Sequence, residues 1–101
     1  LTDPATLETV RLGMRDAVIY GSARALSILP FPVAGKTGTA QWNANKKTHA
    51  WFTGFAPFEA PEIVVAVLIE EGGEGSSFAV PVAKEILQHW WKIRVERGEA
   101  F

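Results

Sequence analysis

The sequence predicts an α+β fold: a helix, a three-stranded antiparallel sheet and a carboxy-terminal helix, in that order. Two observations support it. Apolar residues recur at helical spacing near both ends of the chain, and three β-prone segments lie between them. The links between these segments are short, which favours an antiparallel meander. The 101 residues, 48% of them hydrophobic, suit one packed domain or part of a larger one.

Residues near the amino terminus predict the first helix. Asp3 can cap its start, and Pro4 suits the first helical position because an N–H there would have no partner. Apolar residues then define one face: Leu7, Val10, Met14, Ala17 and Val18. Gly21 is typical of a helix end. Beyond it, Pro30 and Pro32 favour an irregular or extended path into the sheet.

Three strands are predicted in the middle of the chain, at about 33–42, 49–56 and 63–70. The polar segment 43–48 predicts a hairpin loop between the first two. The third strand, IVVAVLIE, alternates Ile63, Val65, Val67 and Ile69 on one side with Val64, Ala66 and Leu68 on the other. Both sides are apolar, so we expect covering layers on both faces. Two helices are few to cover both faces of a three-stranded sheet, so we expect further protein to cover the remaining face.

The second helix follows the glycine-rich turn at 72–75. Ser76 or Ser77 can cap it, and Pro81 fits only near its first turn. Its apolar stripe consists of Phe78, Val82, Ile86 and Trp90, flanked by Ala79, Ala83 and Leu87. A stripe this broad predicts that the helix packs on the sheet.

The segment VAGKTGTAQ, residues 33–41, contains two overlapping motifs. Gly35-Lys36-Thr37 matches the end of a phosphate-binding loop, and Lys36-Thr37-Gly38 is a K-T-G triplet. The phosphate-binding loop needs another glycine five residues before Gly35, where this chain has Pro30. It also needs a helix after the lysine, whereas residues 37–41 continue a strand. We therefore favour the K-T-G interpretation.

A K-T-G triplet on a strand beside a substrate has a physical rationale. Lys36 supplies a fixed positive charge for a carboxylate, and Thr37 supplies a neighbouring hydroxyl. Gly38 has no side chain, so a substrate can approach the strand closely. The backbone N–H of Thr39 can then point at a carbonyl oxygen that becomes an oxyanion. By itself, the triplet is a weak signal and favours an ordinary surface strand.

Three stretches in order carry a more specific resemblance: GKTGTAQ, HAWFTGFAP and EIVVAVLIEEGGEGSSFAVPVAKEIL. Together they resemble the carboxy-terminal part of the transpeptidase domain of penicillin-binding proteins, over essentially the whole chain. The elongation-type class B enzymes are most similar, with the division type as the alternative. The resemblance implies that residues 1–101 form part of a larger β-lactamase/transpeptidase-like domain. Class D β-lactamases also have a K-T-G strand, but a Trp commonly follows it, where this chain has Thr39.

The resemblance also implies roles for the motif residues. In this family a serine attacks the penultimate D-alanine carbonyl of a peptidoglycan stem peptide, and an amine resolves the acyl-enzyme to make a crosslink. β-Lactams trap the same serine. Lys36 then supplies the electrostatics of the carboxylate site, and the Thr37 and Thr39 hydroxyls bind the carboxylate. The Thr39 N–H is one half of the oxyanion hole, and Gly38 admits the substrate.

Two motifs of the family are missing, namely S-x-x-K and S-x-N. The four serines, Ser22, Ser27, Ser76 and Ser77, are followed three residues later by Ala25, Pro30, Ala79 and Val80. The nucleophile and its base are therefore absent, and we expect this chain to be inactive alone.

The expected partners follow from the resemblance. They are the remainder of the transpeptidase domain, peptidoglycan stem peptides and β-lactams. We expect the parent protein to be membrane-anchored at the outer face of the bacterial cytoplasmic membrane, in the periplasm, within a cell-elongation complex. No cofactor or metal is expected, and the chain has no cysteine. Its net charge of −1 gives no general attraction for nucleic acid.

Three alternatives remain open: a penicillin-binding sensor, a β-lactamase-like protein and a non-catalytic structural or interaction module. Other residues invite weaker functional interpretations. His49 is expected to order the edge of the site, not to react. Trp51 and Phe52 are expected to pack in the core or form a hydrophobic rim. Glu70 and Glu71 are neighbours on a strand and should point to opposite faces.

Overall fold

The structure is a computed structural model and describes residues 3–40, 48–71 and 73–98. Its helices are α1 (Pro4–Ile19) and α2 (Val80–Glu96), and its strands are β1 (Ala34–Ala40), β2 (His49–Ala56) and β3 (Ile63–Ile69). A short 3₁₀ turn (Arg24–Ile28) follows α1, and a π turn (Gly75–Ala79) precedes α2. The predicted α+β order is confirmed. The predicted end of the first strand at 41–42, the loop residues 43–47 and the turn residue Gly72 lie outside the described residues.

The three strands form one antiparallel sheet in the order β1-β2-β3. Thr37 pairs with Phe52 and Phe52 with Val67, while Lys36 pairs with Thr53 and Thr53 with Ala66. Since paired residues share a face, the register sorts the side chains into two sets. The core face holds the buried residues Ala50, Phe52, Gly54, Val65 and Val67, and the open face holds the exposed residues Lys36, Trp51, Thr53, Ala66 and Leu68.

The core lies between the core face of the sheet, α2 and the segment that joins α1 to β1. Its largest fully buried side chains are Phe52, Leu26, Leu87, Val18, Val33 and Val80. Phe31 ties the carboxy-terminal part of α2 to this core. Its ring centroid lies 5.3 Å from that of Trp90, edge-on, and 5.0 Å from that of Trp91. Aromatic pairs at this spacing contribute packing energy beyond the area that they bury.

Helix α1 begins as its sequence predicts. The Asp3 carboxylate accepts a hydrogen bond from the Thr6 N–H at 2.9 Å, and this bond lowers the pKa of Asp3. Two arginines hold the helix to residues that flank the strands. The Arg15 guanidinium donates to the Val33 carbonyl at 2.7 Å, and Arg11 lies 4.6 Å above the centre of the Phe58 ring. These contacts hold α1 beside the start of β1 and the end of β2.

The predicted apolar face of α1 is only partly covered. Val18 is fully buried, whereas Leu7 and Val10 remain 51% and 54% exposed. The described residues pack against the carboxy-terminal part of that face alone. A helical pattern marks which side chains are apolar, but it does not say which of them meet a partner within the same chain.

The prediction for α2 was wrong in two respects. Neither Ser76 nor Ser77 caps it, because both lie inside the π turn and Ala79 occupies the N-cap position. The buried face is also rotated from the predicted stripe, since Phe78, Val82 and Ile86 are exposed while the flanking Ala79, Ala83 and Leu87 are buried. Ala79, Ala83 and Leu87 thus face the core, whereas Phe78, Val82 and Ile86 are left outside. Pro81 lies in the first turn, as predicted.

The alternation predicted for β3 is confirmed. Val65 and Val67 are buried on the core face, whereas Val64 and Leu68 are 73% and 45% exposed. The described residues therefore cover one face of this strand and leave its second apolar face open. The prediction that further protein covers that face stays a prediction.

Candidate active site

The K-T-G triplet lies on β1, which pairs with β2 on one side only among the described strands. Its side chains alternate. Lys36 and Gly38 lie on the open face, and Thr37 and Thr39 lie on the opposite face. Because β1 is an edge strand in this part of the chain, a ligand beside it can meet groups from both faces. This arrangement presents a cation, two hydroxyls and backbone amides along one edge.

Lys36 is exposed, and its ammonium group donates a hydrogen bond to the neighbouring Thr37 carbonyl. Within the described residues it forms no salt bridge with a carboxylate. The charge is thus held close to its own strand and is available to an anionic ligand.

Thr37 is joined to a residue from outside the motif. Its hydroxyl lies 2.6 Å from the Ser22 hydroxyl, a hydrogen-bond distance. Ser22 lies in the tight turn after α1, where the Ala23 N–H donates to the Ala17 carbonyl and the Arg24 N–H donates to the Gly21 carbonyl. The turn thereby places Ser22 against the strand. Ser22 also lines an open depression of about 630 Å³, together with Gly21, Arg24, Ala25, Ser27 and Ser76.

Thr39 meets the π turn. Its hydroxyl accepts a long hydrogen bond from the Gly75 N–H, at 3.4 Å. Two bonds join Thr48, just before β2, to Gly73, just before the π turn: one through the backbone at 3.1 Å and one from the Thr48 hydroxyl at 2.9 Å. Since Gly73 is two residues from Gly75, the start of β2 positions the amide that faces Thr39.

His49 supports the same connection. Its Nδ1 accepts a hydrogen bond from the Glu71 N–H at 2.9 Å. Glu71 has a φ of 51°, an unusual value for a residue with a side chain, so this bond helps to hold a strained position. The expectation that His49 orders the edge of the site agrees with this contact.

Gly75 approaches the sheet more closely than any other residue type could. A Cβ at this position would lie 2.5 Å from the Trp51 carbonyl oxygen and 2.7 Å from the Gly38 carbonyl oxygen. Both are backbone atoms of paired strands, so neither can move aside cheaply. The absence of a side chain at Gly75 is what allows the π turn to lie on β1.

We expect Gly75→Ala to lower the free energy of unfolding by about 1–3 kcal/mol, the usual range for overpacking. Urea denaturation of the protein that contains this sequence, with and without the substitution, would measure it. Gly13→Ala is the matched control, because a Cβ there meets none of the described residues within 4 Å and alanine favours an exposed helix. A Gly75→Ala variant as stable as the parent would contradict the close-approach argument.

Gly38, unlike Gly75, has room for a side chain among the described residues. An added Cβ would make only ordinary contact, 3.5 Å from the Trp51 Cβ. Packing among the described residues therefore does not require glycine here. The space that glycine leaves on the open face is available to a ligand, with Trp51, 39% exposed, beside it. Phe52, by contrast, is a core residue with no exposed surface.

The four motif residues predicted from the sequence thus lie together on one strand edge. Sequence reasoning missed two residues that contact them, Ser22 and Gly75. The only local signal for Ser22 was its place after the helix-ending Gly21, and Gly75 was interpreted as part of a simple connection. In the described part of the chain, no three His, Cys, Asp or Glu side chains gather as a metal site would require. No helix there is long and apolar enough to cross a bilayer.

Known proteins resemble this chain in sequence. The family described as "Penicillin binding protein transpeptidase domain" matches residues 2–88. Peptidoglycan D,D-transpeptidase MrdA of Haemophilus influenzae is 33% identical over an alignment that covers 96% of this chain and 18% of the relative. The Acinetobacter baumannii protein of the same name is 34% identical, over 84% of this chain and 15% of the relative. The chain therefore spans less than a fifth of the length of these curated relatives.

Solved structures share its fold. Pseudomonas aeruginosa PBP2, solved in complex with WCK 5153, is 42% identical with a TM-score of 0.77, covering 89% of this chain and 20% of that one. PBP2 of Helicobacter pylori, solved in a complex with MreC, is 27% identical with a TM-score of 0.78, covering 88% and 18%.

The sequence matches, the fold similarity and the position of the K-T-G triplet all indicate the same family. The match to the family covers most of the chain and includes β1 with its K-T-G triplet. Relatives named PBP2 or MrdA stand among those most similar to it. The chain belongs to the penicillin-binding protein transpeptidase domain family and most resembles PBP2.

Proposed function

We propose that this chain supplies the K-T-G strand of a peptidoglycan D,D-transpeptidase, which crosslinks stem peptides through an acyl-serine intermediate and is acylated by β-lactams. The observation that carries the proposal is the K-T-G triplet on an exposed strand edge within a chain of this family. The curated relatives reported above are named peptidoglycan D,D-transpeptidases.

In this proposal, each motif residue has a separate task. Lys36 attracts the substrate or drug carboxylate with a fixed charge. The Thr37 and Thr39 hydroxyls donate hydrogen bonds to that carboxylate, and Gly38 leaves room for the substrate along the strand. The Thr39 N–H stabilises the oxygen that becomes negative as the serine attacks. The exposure of Lys36 and Thr39 and the open space at Gly38 support these assignments.

The nucleophilic serine and its base must come from other segments. We propose that residues 1–101 are the carboxy-terminal portion of a larger transpeptidase domain, whose remaining part carries S-x-x-K and S-x-N. Two observations support this. The chain spans less than a fifth of its curated relatives, and the apolar side chains of Val64 and Leu68 face solvent. A second layer over the open face would bury them and bring the serine to the side where Lys36 lies.

The proposed setting is the outer face of the bacterial cytoplasmic membrane, where peptidoglycan is built. There the parent protein is membrane-anchored and works in a cell-elongation complex. The similarity to PBP2 and MrdA supports the elongation type, and the PBP2 of Helicobacter pylori has been solved bound to MreC.

The proposal is tested with the complete domain, expressed from the reading frame that encodes this chain. We expect one equivalent of penicillin to add to it, visible by intact-protein mass spectrometry, with the adduct on the serine of S-x-x-K. Replacing that serine with alanine is the control. A crosslinked product from a D-alanyl-D-alanine peptide and an amine acceptor distinguishes a transpeptidase from a sensor, which acylates without crosslinking. A complete domain that is folded but not acylated would overturn the proposal.

A further inference from the structure

The contact between Ser22 and Thr37 joins the K-T-G motif to a residue outside it. The two hydroxyl oxygens are 2.6 Å apart although the residues are 15 positions apart in the chain. Thr37 lies on β1, whereas Ser22 lies in the turn that follows α1. The contact therefore links the proposed carboxylate site to a separate element of the fold.

Hydrogen-bond chemistry fixes the direction of this contact once a carboxylate is bound. An ionised carboxylate accepts hydrogen bonds and donates none, and a threonine hydroxyl has a single proton. If the Thr37 hydroxyl donates its hydrogen bond to the carboxylate, its oxygen can only accept a hydrogen bond from Ser22. The Ser22 hydroxyl must then be the donor, and each bond in such a chain polarises the next.

We propose that Ser22 is a positioning residue for the carboxylate site: it donates to Thr37, orients the Thr37 proton toward the ligand and strengthens that hydrogen bond. This inference rests on the proposed function. Ser22 acts through Thr37 and needs no contact with the substrate. Its own position is fixed by the turn after α1, where a Cβ at Gly21 would lie 3.1 Å from the Ala17 backbone.

This role predicts that Ser22 matters only for ligands with a carboxylate. In the complete domain, we expect Ser22→Ala to lower the rate of acylation by penicillin roughly three- to tenfold, the effect of losing one neutral hydrogen bond. Acylation by penicillin methyl ester, which has no free carboxylate, should change little. Ser22→Thr keeps a hydroxyl at the same position and should restore most of the rate with penicillin.

A double-mutant cycle with Thr37→Val isolates the pair. Once Thr37 has lost its hydroxyl, Ser22→Ala should have no further effect on the penicillin rate. Ser27→Ala is the matched control, because its hydroxyl also lies in this segment but donates to the Arg24 carbonyl, within its own turn. That variant should keep the parental rates with both compounds.

Three results would overturn the inference while leaving the proposed function intact. The first is a parental penicillin rate in Ser22→Ala. The second is an equal loss with penicillin and its ester, which would indicate a purely structural role. The third is a full loss from Ser22→Ala in the Thr37→Val background, which would indicate direct contact with the substrate. If the unsubstituted, folded domain does not react with penicillin, both the function and this inference fail.

Discussion

Purified alone, the 101-residue chain is expected to form no covalent adduct with a labelled penicillin. A β-lactam ring opens onto a nucleophile, and none of the serines in this sequence has the lysine of S-x-x-K three residues later. Removing the nucleophile of such a site leaves only binding and polarisation effects. An exposed ion pair between Lys36 and the drug carboxylate is worth about 0–1 kcal/mol, far too little to survive denaturation.

Intact-protein mass spectrometry of the isolated chain and of the complete domain gives the comparison. We expect the penicilloyl mass in the complete domain only. Adding the missing part as a separate, complementing fragment should restore labelling, with the adduct on that fragment. A stoichiometric adduct on the isolated chain, abolished by changing one of its own serines, would refute the division of the site between two segments.

In the complete domain, Lys36→Ala is expected to slow acylation by penicillin about ten- to a hundredfold. The substitution removes a charge-assisted hydrogen bond to the carboxylate, worth roughly 1.5–3 kcal/mol. The free energy of unfolding should change little, because Lys36 is exposed and contributes nothing to the core. A time course of labelling with a fluorescent penicillin, quenched at intervals, would give the acylation rate constant. Urea denaturation would give the free energy of unfolding.

The matched control is Lys92→Ala. Lys92 is also exposed but lies on α2, away from the K-T-G triplet. The Lys92→Ala substitution removes the same charge from the protein and should leave the acylation rate unchanged. Parental reactivity in Lys36→Ala, or an equal loss in both variants, would show that the charge at position 36 does not serve the carboxylate site.

Local patterns predicted much of this fold. The start of α1 is set by Asp3 and Pro4, since a capping side chain and a missing N–H act within one turn. The alternation along β3 is likewise local, because successive strand side chains point to opposite faces. The bounds of β2 also agree with the sequence prediction, 49–56.

Prediction failed where the result depends on which surfaces meet. Helix α2 has more apolar residues than one packing face can bury, so its sequence did not reveal that Ala83 and Leu87 would turn inward while Val82 and Ile86 stayed outside. Which of these residues are buried depends on how the helix is rotated against the sheet. On α1, Leu7 and Val10 are apolar but remain exposed within the described residues.

The same distinction holds for the candidate site. The sequence by itself determined that Lys36, Thr37, Gly38 and Thr39 lie consecutively on a strand, because the motif and the strand pattern are both local. Only the tertiary structure decided that Ser22 meets Thr37 and that Gly75 lies against Gly38. Those contacts join residues far apart in the chain, and they depend on the direction of α1 and on the anchoring of the turn after β3. No periodicity in the sequence encodes such distances, since they are set by how whole elements pack.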